Sequence, residues 1–263
     1  MNILQHIADY KVKEVALRRK LVPLARLEMS PLFSQPCHSL SAELLKRPGG
    51  GIIAEFKRRS PSKGEINPTA KPEKVGPGYV RAGAAALSIL TDEPSFGGST
   101  ADLEKARPLC AVPILRKDFI IDPYQVIESK SMGADVILLI ASILTPQSTL
   151  ELATLARSLG METLLEIHDR IELEHLNDQI SLVGVNNRNL KSFSVSLETS
   201  LELFSFLPEG ITAIAESGIN TPSEVRMLRR AGYRGFLIGE SFMREADPAK
   251  ACHDFILQID STP

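Results

Sequence analysis

A chain of 263 residues, of which 43% are hydrophobic and 24% charged, is long enough for one large domain or two small ones and has the composition of a globular protein. Its formal net charge of −2 provides no overall positive field, which argues against nucleic acid or an anionic membrane as a partner. The sequence contains neither an apolar signal core near its start nor an apolar run of about 18 residues, so we expect a cytoplasmic protein without a membrane span.

The first 45 residues differ from the remainder. Apolar residues recur at roughly helical spacing from Ile3 to Leu21 and are interleaved with basic residues, which predicts one amphipathic basic helix. We expect the basic residues between Lys11 and Lys20 to form a solvated face rather than a surface for RNA or membrane. The glycines at 49–51 mark the joint to the rest of the chain.

Eight short apolar runs follow, and most are continuous, as in parallel strands that are buried on both faces. They are residues 52–56, 84–90, 112–115, 135–140, 162–167, 182–186, 211–215 and 235–238. Helical patterns separate them. Two of these patterns begin with Thr-Pro, at Thr145 and Thr221, and glycines stand where helices should end, at Gly133, Gly160 and Gly232. The alternation favours an α/β fold of the (β/α)8 TIM-barrel type with an N-terminal helical extension, and a doubly wound sheet is the alternative.

Polar residues close most of the predicted strands. In such barrels the chemistry lies at the C-terminal ends of the strands, because the loops converge there. The register predicts that one mouth receives the side chains of Glu55, Lys57, Lys117, Glu166, Asn186 and Glu216. Any one of them could be merely the first solvated residue of a loop. Together, lysines and glutamates in one cleft perturb each other's pKa values, as acid/base chemistry requires.

Small residues follow the last two strands, Ser217-Gly218 after the seventh and Gly239-Glu240-Ser241 after the eighth. Glycine turns also serve as helix C-caps, but two of them on consecutive strands lie where barrels commonly bind phosphate through backbone N–H groups. We therefore expect a phosphorylated small molecule as the substrate.

Six segments, in order, resemble motifs of the indole-3-glycerol phosphate synthase family of tryptophan biosynthesis. They are IIAEFKRRSPSKGEI (52–66), ALSILTDEPSFGGS (86–99), PILRKDFIIDPYQV (113–126), GVNNRNL (184–190), AESGI (215–219) and FLIGESFM (236–243). The resemblance implies conversion of 1-(2-carboxyphenylamino)-1-deoxyribulose 5-phosphate to indole-3-glycerol phosphate with loss of carbon dioxide and water. It implies no metal and no organic cofactor. It also implies a single domain, 1–263, whose residues 1–48 cover the barrel mouth, and leaves association with other enzymes of the pathway open.

The resemblance also implies roles for individual residues. Lys117 matches the family's catalytic lysine, a general acid for the ketone oxygen, and Glu166 matches the general base. Lys57 matches a lysine that contacts the substrate carboxylate and serves as an acid in the later step, and the division of labour between the two lysines stays open. The remaining catalytic positions, which hold this network or contact the substrate, are Glu55, Asn186, Glu216 and Ser217.

The implied substrate-binding residues comprise phosphate contacts, an arginine for the carboxylate and two aromatic residues that line the anthranilate pocket. They are Ser60, Gly218, Gly239, Glu240 and Ser241 for phosphate, Arg188 for the carboxylate, and Phe96 and Phe119 for the aryl ring.

The sequence departs from the family pattern at three places. Asn189 stands where an aspartate is usual, which we expect to alter loop packing rather than chemistry. Residues 177–180 replace the usual turn before the sixth strand. Arg116 precedes the catalytic lysine, and we expect it to face outward or toward an anion. His168, two positions beyond Glu166, is interpreted as lying outside the substrate site.

Two other functions compete with this interpretation. Phosphoribosylanthranilate isomerase relies on a cysteine near the end of the first strand, where this chain has Glu55 and Lys57. The three cysteines here are widely spaced and predict neither a disulfide framework nor a zinc site, and Cys110 reads as a small buried hydrophobic residue. A noncatalytic barrel would be expected to lack one of the acid/base residues, all of which are present.

Overall fold

The computed structural model describes residues 3–47, 49–189 and 192–260. Within these residues, eight parallel strands close into one barrel in which chain neighbours are also spatial neighbours and the last strand pairs with the first. The strands are β1 (Gly51–Phe56), β2 (Ala86–Leu90), β3 (Ile114–Lys117), β4 (Val136–Ile140), β5 (Glu162–Ile167), β6 (Leu182–Asn186), β7 (Thr212–Glu216) and β8 (Gly235–Ile238). The predicted (β/α)8 TIM barrel is confirmed, and the doubly wound sheet is excluded.

Helices precede the barrel and alternate with its strands. They are α1 (Ile3–Leu21), α2 (Leu24–Glu28), α3 (Leu40–Leu45), α4 (Pro72–Arg81), α5 (Glu93–Phe96), α6 (Thr100–Ala106), α7 (Pro123–Ser131), α8 (Pro146–Ser158), α9 (Glu198–Phe204), α10 (Pro222–Ala231), α11 (Glu240–Met243) and α12 (Pro248–Asp260). None of the helices in the described part of the chain is long and apolar enough to cross a membrane.

The helix ends follow the chemistry of the capping residues. Thr145 accepts a hydrogen bond from the N–H of Ser148, and Thr221 forms a capping box with Glu224. The three glycines predicted to end helices all have positive φ, between 78° and 119°. Between β5 and β6 the connection contains a 3₁₀ turn, Ile171–His175, and the unusual residues 177–180 follow it.

Alternate residues of each strand point into the barrel, where a buried apolar cluster forms its floor. On β1, Ile53 belongs to this cluster, and Glu55 and Lys57 follow it on the same face. Because β1 begins with apolar residues and charged residues stand at its end, the charged side chains lie at the mouth, above the apolar cluster.

The N-terminal segment contacts both ends of the barrel. Ile7 of α1 lies at the mouth, whereas α3 closes the opposite end with Leu40 and Leu44, which are fully buried. The carboxylate of Glu162, at the start of β5, accepts hydrogen bonds from the N–H groups of Leu40 and Ser41 at 2.8 and 3.0 Å. This carboxylate satisfies the first N–H groups of α3 and fixes it there.

The expectation that the basic residues of α1 are solvated is wrong for Lys11, which is fully buried. Ile7, Lys11 and Val15 are spaced by four residues and share the inner face of the helix, whereas Val12 and Leu21 are exposed. The charge of Lys11 suggested an exposed position, but its spacing from Ile7 and Val15 places it on the buried face of the helix.

Arg116 points away from the barrel interior and is buried beneath α7. Its guanidinium is 3.0 Å from the carboxylate of Asp118 and 2.8 Å from that of Glu128. Arg116 thus faces outward from the barrel, as expected, and the anions that it contacts are the carboxylates of Asp118 and Glu128.

Candidate active site

A cavity of about 800 Å³ opens at the C-terminal ends of the strands, and it is lined by every residue that the sequence predicted for the site. The set comprises Glu55, Lys57, Ser60, Phe96, Lys117, Phe119, Glu166, Asn186, Arg188, Glu216, Ser217, Gly218, Gly239, Glu240 and Ser241. Residues from 55 to 241 therefore meet around one space that is large enough for a small molecule.

The centre of the cavity is an ion cluster around Lys117. The Nζ of Lys117 donates to Oε2 of Glu166 at 2.7 Å and lies 3.4 Å from Oε2 of Glu216. The amide of Asn186 donates to Oε1 of Glu166 at 3.0 Å. These contacts orient both oxygens of Glu166 and hold a charged ammonium beside two carboxyl groups.

The surroundings drive the pKa values of the two carboxyl groups apart. Burial alone would raise the pKa of Glu166, but Lys117 and then His168 outweigh it and hold that pKa well below its usual range. Burial raises the pKa of Glu216 to about 7, against the opposing charge of Lys117 and with the help of Glu166 and Glu55. Burial would lower the pKa of Lys117, yet the carboxylates raise it above its ordinary value. Glu166 is thus ionised, Lys117 is protonated, and Glu216 is the carboxyl that titrates near neutral pH.

A second ion pair, at 2.5 Å, joins Glu55 of β1 to Lys57, which directly follows the strand. Two glycines make room for the carboxyl groups of the site. A Cβ at Gly239 would overlap Glu55, and a Cβ at Gly184 would overlap Oε1 of Glu216. These glycines are needed for close approach within the barrel rather than for a turn.

One end of the cavity is built from the turns after β7 and β8. Ser217 has a φ of 64°, which is uncommon for a residue other than glycine, and Gly218 follows with a φ of 75°. The hydroxyl of Ser241 donates to the carbonyl of Ile219 at 3.3 Å and thereby ties the two turns together. Lys63 and Arg244, which the sequence analysis did not single out, add positive charge to the lining.

The other end is apolar. The rings of Phe96, at the end of α5, and Phe119, after β3, lie 6.1 Å apart and tilted by 34°. Ile7, Leu138 and Ile140 complete this wall, and the sequence analysis missed them because they carry no polar signal. An aromatic ring is the ligand group that such a wall accommodates.

His168 contacts the site although it does not line the cavity. Its Nε2 is 3.3 Å from Oε1 of Glu166, and its Nδ1 is 3.2 Å from Oε2 of Glu172. Burial would lower the pKa of His168, but the two carboxylates raise it to about 10. The sequence indicates this contact through the spacing of two between Glu166 and His168, because residues two apart in an extended strand point to the same side.

Replacing His168 with glutamine should reduce stability in a pH-dependent way. A histidine whose pKa rises on folding, here from 6.5 to about 10, stabilises the protein fully below the unfolded value and loses this effect as the pH rises through the folded value. We expect a deficit on the order of 2 kcal/mol near pH 6 that shrinks toward pH 10, measured by urea unfolding. His253→Gln, at an exposed position, is the control, and a deficit that is the same at every pH would contradict the charged pairing.

Asn189 takes part in the turn after β6. Its side-chain oxygen accepts a hydrogen bond from the N–H of Ser192 at 3.0 Å, which an aspartate oxygen would accept equally well. This hydrogen bond does not distinguish asparagine from aspartate, so the expected change in loop packing stays a prediction. Leu190, the last residue of the matching motif, lies outside the described residues.

None of the three cysteines, all in the described part of the chain, lines the cavity. Among the residues 3–47, 49–189 and 192–260, no group of three or more His, Cys, Asp or Glu side chains is arranged to hold a metal ion.

A closed parallel barrel with an ammonium–carboxylate cluster at its mouth, and with small-residue turns after its last two strands, defines an acid/base enzyme of the TIM-barrel class. A sequence model of the family described as indole-3-glycerol phosphate synthase matches residues 4–255. The chain belongs to the indole-3-glycerol phosphate synthase family.

Individual relatives agree with this assignment. A protein of Bacteroides thetaiotaomicron named indole-3-glycerol phosphate synthase is 47% identical over 258 residues, which cover 98% of this chain and 99% of the relative. A protein of Laribacter hongkongensis with the same name is 45% identical over 255 residues, covering 95% and 97%.

Solved structures with low sequence identity share the fold alone. KGPDC from Streptococcus mutans has a TM-score of 0.60 and 13% identity, with 80% of this chain and 97% of that chain covered. A 3-hexulose-6-phosphate synthase has a TM-score of 0.63 and 12% identity, with 80% and 99% covered.

Proposed function

We propose that the chain converts 1-(2-carboxyphenylamino)-1-deoxyribulose 5-phosphate to indole-3-glycerol phosphate, carbon dioxide and water. The observation that carries the proposal is the Lys117–Glu166 pair at 2.7 Å, which lies in one cavity between an aromatic wall and the turns after β7 and β8. A substrate with an aryl ring at one end and a phosphate at the other matches this layout.

The substrate would lie across the mouth with its aryl ring against Phe96 and Phe119. Its phosphate would lie on Ser60 and on the backbone of Gly218, Gly239, Glu240 and Ser241, where small residues let N–H groups approach an anion. The aryl carboxylate would pair with Lys57 and Arg188, both of which line the cavity. This orientation brings the ketone carbon over the central ammonium.

Ring closure forms a bond between the carboxylate-bearing aryl carbon and the ketone carbon. Negative charge develops on the ketone oxygen, and Lys117 donates a proton to it, so that the oxygen becomes a hydroxyl. The bond to the carboxylate then breaks, carbon dioxide leaves, and its electron pair restores the aromatic ring.

Dehydration completes the indole. Lys57 or Lys117 protonates the new hydroxyl, which leaves as water, while Glu166 removes a proton from the neighbouring carbon to form the ring double bond. Glu166 becomes an effective base only when Lys117 turns from it to the substrate, because the ammonium holds its pKa low in the free enzyme. Two protons are donated and one is removed, so each turnover takes one proton from solvent.

The remaining catalytic positions would support these steps. Asn186 orients Glu166 through its hydrogen bond, and Glu55 holds Lys57 through their ion pair. Glu216, whose pKa is about 7, and Ser217 would contact the hydroxyls of the substrate.

The proposal also covers the setting of the enzyme. It comprises a cytoplasmic protein of tryptophan biosynthesis, a single domain of residues 1–263, and an N-terminal segment, 1–48, whose first helix, α1, covers the mouth while α3 closes the opposite end. It includes no nucleic acid, membrane, metal or organic cofactor, and it leaves association with other enzymes of the pathway open.

Purified protein should generate indole fluorescence from the synthetic substrate, at an unchanged rate after EDTA treatment. The chain contains no tryptophan, so the product is measured without a competing indole signal from the protein. Phosphoribosylanthranilate should not be consumed in the parallel reaction, which tests the isomerase alternative. Failure to form product, or loss of activity in EDTA with recovery on adding zinc, would contradict the proposal.

A further inference from the structure

Lys11 of α1 is a buried charged residue that has no role in the proposed chemistry. Its side chain is fully buried, and its ammonium lies 2.8 Å from Asp92, 2.9 Å from Asp118 and 3.0 Å from Glu14. A buried ammonium persists only where ion pairs compensate its lost hydration, so this arrangement is specific.

The two aspartates come from different loops of the barrel mouth. Asp92 follows β2 and Asp118 follows β3, and both are almost fully buried. One ammonium therefore joins two loops that belong to neighbouring strands. Without it, Asp92 would lose its ion pair with the ammonium, and Asp118 would keep its pair with Arg116 while facing a second buried carboxylate.

Each of these aspartates also fixes the backbone that carries an aromatic residue. Asp92 accepts the N–H of Ser95 at 2.9 Å and caps the short helix α5, which ends at Phe96. Asp118 accepts the N–H of Phe119 at 2.8 Å. The spacing of the two rings thus depends on carboxylates that Lys11 holds together.

Tyr10 strengthens the same contact from α1. Its hydroxyl donates to Asp92 at 2.7 Å and lies 3.1 Å from the hydroxyl of Ser95. Two consecutive residues of the N-terminal helix therefore bind the loop that bears Phe96.

We infer that Lys11 is a positioning residue for the aryl-ring pocket, which sets the separation of Phe96 and Phe119 by bridging Asp92 and Asp118. The inference rests on the proposed function, since that function supplies the aryl ring. It assigns to the N-terminal helix a part in substrate selection beyond covering the mouth.

Lys11→Met keeps an unbranched side chain of similar length and removes the charge. We expect KM to rise about 3- to 10-fold, the worth of one aromatic contact, while kcat stays within about twofold. Lys11→Arg should restore most of the affinity, and Lys13→Met, at an exposed position of the same helix, should behave as wild type. Tyr10→Phe removes one hydrogen bond to Asp92 and should give a smaller rise in KM without unfolding the helix.

Two inhibitors separate the pocket from the rest of the site. The substrate with its ketone reduced to an alcohol carries the aryl ring, and ribulose 5-phosphate does not. Lys11→Met should weaken binding of the reduced substrate by about the same factor as it raises KM. The affinity for ribulose 5-phosphate should stay unchanged, and calorimetry measures both affinities.

The outcomes are distinguishable. Equal weakening of both inhibitors, or a lower melting temperature with unchanged KM in both Lys11→Met and Tyr10→Phe, would overturn the inference and leave only an anchoring role. Wild-type protein that neither binds the reduced substrate nor forms product would instead overturn the proposed function.

Discussion

Lys117→Ala should lower kcat by roughly 10²- to 10⁴-fold, since the variant lacks the positioned acid that protonates the ketone oxygen. The loss should appear in kcat more than in KM, because the proton is transferred only as the new carbon–carbon bond forms. Steady-state indole fluorescence measures both parameters.

The comparison that decides the role of Lys117 is with Lys57→Ala. If Lys57 acts on the carboxylate and in dehydration, its removal should raise KM as well as lower kcat. Lys105→Ala, at an exposed position of α6, is the control for loss of a lysine. A mild effect of Lys117→Ala together with a severe one of Lys57→Ala would reassign the acid to Lys57.

Removing Lys117 also changes its neighbours. Glu166 and Glu216 would remain buried without their shared counter-charge, so the pKa of Glu166 should rise from its depressed value. The melting temperature of the variant should therefore be measured beside its rate, so that an altered charge balance is not mistaken for lost catalysis. Lys117→Arg separates the two effects, because it keeps a positive charge beside the carboxylates but cannot act as an acid.

The barrel could be predicted because its strands are buried on both faces. Apolar runs such as 162–167 and 182–186 coincide with β5 and β6, since continuous burial leaves a continuous pattern. The run 235–238 also coincides with β8, whereas the ends of the other five strands shift by up to two residues, and Lys117 and Glu216 are the last residues of their strands. A charged side chain at the end of a strand still pairs its backbone, so charge alone does not mark the boundary.

The polar part of the site could be predicted for the same reason. Strand period and the convergence of loops at one end place Glu55, Lys117 and Glu166 together once the barrel is assumed. What could not be predicted is the part that depends on packing between distant elements. Ile7 lies at the mouth although it belongs to α1, which precedes the barrel. In the sequence, an apolar residue that lines the cavity cannot be distinguished from an apolar residue of the core.

Lys11 and His168 show how pairing overrides the ordinary preference of a charged residue. Lys11 was expected on a solvated face and His168 outside the substrate site, and both make ion pairs with two or more carboxylates, Lys11 fully buried and His168 half-buried. The helical period places Lys11 on the inner face of α1, and the spacing of two places His168 on the same side as Glu166. The partners that make burial of Lys11 favourable, Asp92 and Asp118, lie far from it along the chain. Periodicity was the better guide than charge.

Glu166→Gln should lower the rate of indole formation by roughly 10²- to 10⁴-fold while changing KM little, because the amide fills the same space but accepts no proton. The sharper expectation concerns the order of events. Lys117 remains protonated beside Glu216 in this variant, so ring closure and loss of carbon dioxide can proceed while dehydration stalls.

A single turnover that follows carbon dioxide and indole separately tests this order. The variant should release carbon dioxide well before indole fluorescence appears, whereas wild type and the exposed control Glu174→Gln should release both together. If Glu166→Gln delays carbon dioxide as much as indole, the carboxylate acts before or during ring closure. Its contact with Lys117 would then be the important one, since Glu166 would hold the acid in place rather than remove a proton afterwards.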